Sequence, residues 1–416
     1  MKTSVCQSKC HEKKITLCED ETFHPEICLV AIEAMSNFII LEKYVTNRDG
    51  ATWNKAIEEA LCDLPVDVMQ NSSDEGKGLL NHVQKGLKVH HSPDTFHVSY
   101  EISKGMNGAL CSEVKHSEKE YEAAQKRTQE ERERMDKNQV KRPVGRRPAF
   151  EKKIANAELA EQQAEEKLYH AQQNQELVRT AKAEIGYVYH PYSLQTGEKQ
   201  DANTVSERLE ECFNHLNEVA ICLSERCQKH IKKAHRVVET MKSTIAFFFH
   251  TINLYVESMN ISIEEQKVMH KYIIPGFYLQ EVARKDNDPQ RKKIISEKSK
   301  ELLSILYEKD GPFGCCNEEK RRHFEAVGRE CAGIFQRSSS CVEGRNAQLS
   351  LHHHGLHRLD NHKLQALTAV HNYYVKRKDG TTAAERFFES KPNDMFQWLI
   401  DHVALPARPR GQRKAA

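Results

Sequence analysis

Ser338-Ser339-Ser340-Cys341-Val342-Glu343-Gly344-Arg345-Asn346-Ala347-Gln348-Leu349-Ser350-Leu351, followed by His352-His353-His354-Gly355, is the stretch whose reading decides the fold. A single carboxylate, Glu343, stands at the start of a predicted helix, with Arg345 and Asn346 just behind it. Far upstream, two aspartates each follow a short apolar run: Asp20 after Ile15-Thr16-Leu17-Cys18, and Asp74 after Val66-Asp67-Val68-Met69. Two Asp at strand ends and a distant Glu on a helix form the set that two-metal phosphoryl transfer needs. Mg²⁺ is a hard ion that prefers oxygen, and two ions about 3.5–4 Å apart serve the attacking and the leaving oxygen. The pattern predicts a core that cuts nucleic acid.

Composition bounds this reading. The chain has 416 residues, long enough for two or three domains. Its 62 Lys and Arg nearly balance 60 Asp and Glu, for a formal net charge of +2, so any surface for nucleic acid must be local. The 13 Cys are odd in number and lack paired spacing, which with no secretory leader predicts a reducing, cytoplasmic setting. The apolar runs 27–40 and 244–256 are short or interrupted by Glu33 and His250, so no membrane span is expected.

Working outward, residues 14–18, 27–34 and 37–45 read as strands, residues 52–62 as a helix stopped by Pro65, and residues 66–70 as a fourth strand. Residues 78–89 read as helix, and 92–98 open a fifth strand. The order β-β-β-α-β-α-β is a mixed sheet with helical cover. From Cys111 the chain turns rich in Glu, Lys, Arg, Gln and Ala. Residues 112–136 and 151–183 read as long exposed helices, split by Lys141-Arg142-Pro143-Val144-Gly145-Arg146-Arg147-Pro148 into a helical hairpin. Helices are predicted over 204–223, 225–259, 262–272 and 291–307. Gly355 would end the helix of Glu343, residues 361–376 bury one face, and Thr382-Ala383-Ala384-Glu385 is a capping box. The expected division is therefore residues 1–12 as a disordered remnant, 13–110 and 331–405 as two parts of one domain, 111–330 as an all-helical insertion, and 406–416 as a basic disordered tail.

Each acid also has a plain local reading. Asp20 lies in Glu19-Asp20-Glu21, which reads as a solvated acidic turn. Asp74 reads as a helix N-cap, and Ser340-x-x-Glu343 is itself a capping box. The histidine run does not read as a metal centre, because consecutive residues on a helix point in different directions; a helix end lying along DNA fits it better. Cys6-x-x-x-Cys10-His11 lacks a partner pair for zinc.

A family pattern decides between these readings. The segment 338–355, with Leu356-His357-Arg358-Leu359, Leu367-Thr368-Ala369-Val370-His371-Asn372 and Asp379-Gly380-Thr381-Thr382-Ala383-Ala384-Glu385-Arg386-Phe387-Phe388, resembles the C-terminal end of bacterial insertion-sequence transposases of the DDE class. Asp20-Glu21-Thr22-Phe23, Ser73-Asp74-Glu75-Gly76-Lys77-Gly78-Leu79 and Asp94-Thr95-Phe96-His97-Val98 look like the first parts of the same domain. The resemblance runs from about residue 14 to 405. It implies an RNase H-like, retroviral-integrase-type sheet interrupted by an all-α insertion. It also implies a metal-binding and catalytic triad of Asp20, Asp74 and Glu343, with Asp94 the alternative second acid. Two Mg²⁺ ions, replaceable by Mn²⁺, would serve cleavage at the element's ends and attack of the freed 3′-hydroxyl on target DNA.

The partners so implied are element-end and target DNA and further copies of the chain, in a bacterial cytoplasm at the nucleoid. Arg345 and Asn346 would touch DNA beside Glu343. Arg142, Arg146 and Arg147 would add salt-dependent phosphate contacts, or simply cap a solvated hairpin tip. Such transposases carry a helix-turn-helix region ahead of this domain, and only about a dozen residues precede the first strand here. A truncated, inactive remnant and a host nuclease of the same fold are the alternatives.

Overall fold

Strand β1 (Lys13–Phe23) runs five residues past Cys18, where its first apolar run ends. The structure, a computed structural model, describes residues 13–23, 26–140, 149–308, 313, 316–356, 359–392 and 394–402. Glu19, Asp20 and Glu21 have little intrinsic preference for a strand. They adopt one because β2 (Ile27–Glu33) pairs antiparallel along them, with Glu19 opposite Ala31, Asp20 opposite Val30 and Glu21 opposite Leu29. Asp20 therefore lies inside β1 near its carboxyl end. It is not the solvated turn residue of the local reading, nor does it sit beyond the strand.

The sheet continues through β3 (Ile39–Val45), antiparallel to β2. After α1 (Gly50–Leu61), β4 (Val66–Ser73) runs parallel to β1, three residues longer than its sequence suggests, so that Asp74 directly follows it. Helix α2 (Lys77–Asn81) widens into a π-helical turn, His82–Leu87, and β5 (His90–Pro93) then runs parallel to β4. The strand order is β3-β2-β1-β4-β5, with β1 in the middle.

The expected strand over residues 92–98 is corrected: the strand ends at Pro93 and α3 (Thr95–Val140) starts two residues later. Thr95, Phe96 and Val98 favour strands by type, yet Val98, Ile102, Met106 and Leu110 are all buried at four-residue intervals. That spacing is the stripe of a helix. The change of composition at Cys111 thus falls inside one helix.

Contacts divide the chain into two units, residues 1–94 with 329–416 and residues 95–328, so the helical part begins earlier than the composition shift places it. Within the helical unit, α3 packs on α4 (Phe150–Val188), whose buried Ala157, Ala164, Ala171, Val178 and Ile185 recur every seven residues. Small side chains at heptad spacing let two helix backbones lie close together. Next come α5 (Ala202–Leu223), α6 (Glu225–His235) and α7 (Val238–Ser258), the last two separated at Arg236 and Val237 where one helix was expected. Then α8 (Ile263–Val268) passes through a π turn, Met269–Ile273, into α9 (Ile274–Lys285). Pro275 lacks an N–H and crowds the preceding turn; the widened turn absorbs both, so the helix continues past the expected stop. Helix α10 (Pro289–Leu303) follows, and the second division falls within α11 (Glu318–Ile334).

The remaining helices are α12 (Ser340–Leu356), α13 (Asn361–Tyr373), α14 (Ala383–Phe388) and α15 (Met395–His402). Gly355 is the next-to-last residue of α12 rather than its stop. The capping box at Thr382 and Glu385 forms as read. Two apolar layers cover the sheet. Ile15, Leu17, Leu29 and Ala31 face Trp53 and Ile57 of α1 and Phe387 and Phe388 of α14. On the other side, Cys18, Cys28, Val30 and Ile32 face Val342 and Leu349 of α12 and Leu364 of α13. The expected remnant 1–12, the tail 406–416 and the hairpin tip with Arg142, Arg146 and Arg147 lie outside the described residues.

Candidate functional site

The β1–β2 register decides where Asp20 points. Asp20 shares its face with Cys18, Val30 and Ile32, the face that α12 covers. It is buried, 8% exposed, and Asn346 Nδ2 donates to its Oδ2 at 2.8 Å while the Glu21 N–H donates to its Oδ1 at 2.8 Å. Asn346 follows Glu343 by one helical turn, so the residue expected to touch DNA instead holds the first carboxylate.

Asp74 closes a tight turn after β4, its Oδ1 accepting from the Gly76 N–H at 2.9 Å. A Cβ on residue 76 would sit 2.9 Å from that oxygen, which favours glycine there. The cap position of α2 is Gly76, so Asp74 is not its N-cap. Asp94 follows β5 and is almost fully buried. It accepts from the backbone N–H of Ser339 at 3.2 Å and from the Ser339 hydroxyl. Ser339 precedes α12, which begins at Ser340; Ser340 is thus inside the helix rather than at its cap.

Two pairs of carboxylates have ligand atoms within 4.8 Å of one another: Asp20 with Asp74, and Asp94 with Glu343. Asp74 and Asp94, read as rivals, are thus both present, each paired with one of the other two acids. The carboxyl ends of three parallel strands bring Asp20, Asp74 and Asp94 together, and α12 brings Glu343.

Arg345 is corrected more sharply. Its side chain is 5% exposed; Nε donates to Glu42 Oε1 at 2.5 Å and Nη2 to Glu42 Oε2 at 2.9 Å. Thr368 Oγ1 of α13 also donates to Glu42 at 2.5 Å. A guanidinium committed to a buried fork is withheld from DNA; it fastens α12 to β3. Cys18 and Cys341, each two residues before an acid, meet on the same face. Their hydrogen bond, with burial, raises the Cys18 thiol well above its ordinary range and keeps it an unreactive proton carrier. Burial lowers His90 to about 4, and His91, lowered by burial too, lies 3.2 Å from Ser73 Oγ; both are neutral at pH 7. His352, His353 and His354 lie in the last turns of α12 and join no metal-binding group among the described residues.

The donor set fits a divalent ion. Four carboxylates supply the hard oxygens that Mg²⁺ or Mn²⁺ prefers. The first unit is thus a mixed α/β domain with an acid-lined sheet end facing a helix. Residues 269–415 match a family described as a family of unknown function (DUF6399), a span that takes in Glu343 and leaves the sheet outside. No curated protein matches the chain.

Proposed function

We propose that the chain is a DNA transposase of the DDE class, cutting phosphodiesters at element ends and joining them to target DNA. One observation carries this reading: the Asp20–Asp74 and Asp94–Glu343 pairs, distant in sequence, have carboxylate oxygens within 4.8 Å. The antiparallel β1–β3 meander extended by parallel β4 and β5 supports an RNase H-like sheet. Asp20, Asp74, Asp94 and Glu343 would hold two divalent ions, Mg²⁺ or Mn²⁺. Bound there, such ions supply charge neutralisation at the phosphate and an activated oxygen nucleophile.

The chain's own residues do the positioning. Asn346 and the Glu21 amide fix Asp20, Ser339 fixes Asp94, and the Arg345–Glu42 fork sets the height of α12 and so of Glu343. Rigid acids in a partly buried setting suit phosphoryl transfer, in which placement and charge stabilisation carry most of the rate. The DNA and the further copies of the chain that would act with it belong to this proposal, as does its setting in a bacterial cytoplasm.

The test is cleavage and strand transfer by the full chain on duplexes carrying the flanking terminal repeats, or scrambled repeats, in Mg²⁺, Mn²⁺ or EDTA. Metal-dependent products on the element ends that vanish in Asp20→Ala and Glu343→Ala support the proposal. Cutting of both duplexes alike, without strand transfer, would identify a nuclease of the same fold. No cutting by the unaltered chain in either metal would leave a remnant and end the enzymatic reading.

A further inference from the structure

The first unit also holds an open cleft of about 480 Å³, lined by Asn47, Arg48, Asp49, Lys77, Gly78 and Asn81 among others. We propose that it seats a phosphodiester of the substrate strand next to the one held at the acids, with Arg48 and Lys77 as its cations. The inference rests on the DNA-cutting reading and adds a contact that the acid constellation does not contain.

Chain connection places the cleft. Lys77 stands three residues after Asp74 and is exposed. Arg48 is held by the residue that follows Asp20: its Nη1 donates to Glu21 Oε2 at 3.0 Å, and its guanidinium lies 5.2 Å from the centre of the Phe23 ring. The two backbones that carry the first acid pair thus also carry, or anchor, the two cations.

The cleft's walls are built to meet. A Cβ on residue 78 would lie 2.2 Å from the Arg48 carbonyl oxygen, so only glycine lets the start of α2 close against the loop before α1. The Arg48 side chain stays 60% exposed although Glu21 and Phe23 orient it. A guanidinium has five N–H donors, and Glu21 takes one, which leaves an oriented fork for phosphate oxygens. Asp49 also lines the cleft and stays anionic, so the two cations act against its charge. Its Oδ1 accepts from the Thr52 N–H at 2.8 Å, capping α1 and holding the carboxyl below its ordinary range. The Thr52 amide is therefore already served, and attraction in the cleft must come from the two cations.

Binding measured without metal separates this inference from the catalytic one. The full chain is titrated with a fluorescent duplex in EDTA across a KCl series, alongside Lys77→Gln, Arg48→Gln and, as a control on the outer side of α1, Lys55→Gln. A phosphate contact contributes about 0.9 to the slope of log K against log salt on duplex DNA. Lys77→Gln and Arg48→Gln should each flatten the slope by roughly that amount, and together by about twice it, while Lys55→Gln leaves it unchanged. Circular dichroism checks folding, and the Lys77 variant, which breaks no described ion pair, stands alone if Arg48→Gln unfolds. An unchanged slope in Lys77→Gln overturns the proposal. So does inorganic phosphate that saturates the cleft without competing with DNA, since the site would then serve a free anion. Failure of cleavage in Mg²⁺ or Mn²⁺, with the slopes behaving as expected, would overturn the catalytic reading and leave this one standing.

Discussion

The two units handle charge in opposite ways. The sheet unit buries it: Asp20, Asp94, Glu42 and Arg345 are all under 9% exposed, and their partners lie hundreds of residues away in sequence. The helical unit keeps charge outside. Its ion pairs are largely surface bridges such as Arg132–Glu158 and Lys167–Glu120, or neighbours on one helix such as Arg179–Glu176, while its hairpin seam is mostly alanine. Taking a charge out of water is costly unless several partners meet it. A region that does so repeatedly around one strand end is what the proposed chemistry would need, whereas a region that avoids it suits length and stiffness.

The sharpest break of this comparison comes from the acids. Asp20→Ala, Asp94→Ala and Glu343→Ala should each lower metal-dependent cleavage by more than about a thousandfold, a loss on the scale of removing a key electrostatic group. Near-UV circular dichroism should remain native. If Asp94→Ala keeps full activity while Asp74→Ala does not, the site is a triad and Asp94 only anchors Ser339.

Next in size is the buried fork. Glu42→Ala leaves Arg345 buried and unpaired, and should cost about 3–5 kcal/mol in urea unfolding. Replacing both partners, as Glu42→Leu with Arg345→Met, should recover much of that loss. Equal losses in the single and double variants would show that the pair's packing, not its charge, matters.

Acid should then weaken the sheet unit first. His90 ordinarily titrates at 6.5 but is lowered to about 4 by burial, so the unfolded chain binds its proton more readily than the folded one. Its contribution is complete above pH 6.5 and is lost as pH falls toward 4, at most roughly 3 kcal/mol and less for its partial exposure. His90→Gln should flatten the stability profile in that window, and NMR titration of the ring checks the sign directly.

The helical unit should respond to volume instead. Ala171→Leu overpacks the α3–α4 seam and should cost about 1–3 kcal/mol, read as faster hydrogen exchange in those two helices alone. Breaking Arg132–Glu158 should cost under about 1 kcal/mol in a double-mutant cycle. A larger coupling there would erase the contrast between the units.

Much of this was legible beforehand. The apolar runs of β2, β3 and α1 announced themselves, and the long polar helices did so by composition. The strand carrying Asp20 was cut short in the reading because Glu19-Asp20-Glu21 looks like a turn. Residues 95–98 were mistaken for strand because four residues cannot show a helical period. Asn346 and Arg345 were both assigned to DNA, since a sequence shows their spacing on a helix but not what lies beneath it.

Three things were written in the order of residues alone: a mixed sheet first, helices in the gap, and a lone Glu on a helix after it. They were legible because period, composition and turn residues are local properties. Tertiary structure decided the rest. Pairing with β2 forced acids into a strand, three parallel strands ended at one place, and α12 was fastened there by Arg345. Whether Asp74 or Asp94 joins Asp20 had no answer in the sequence, because the answer is a distance, and packing set it so that both stand at the site.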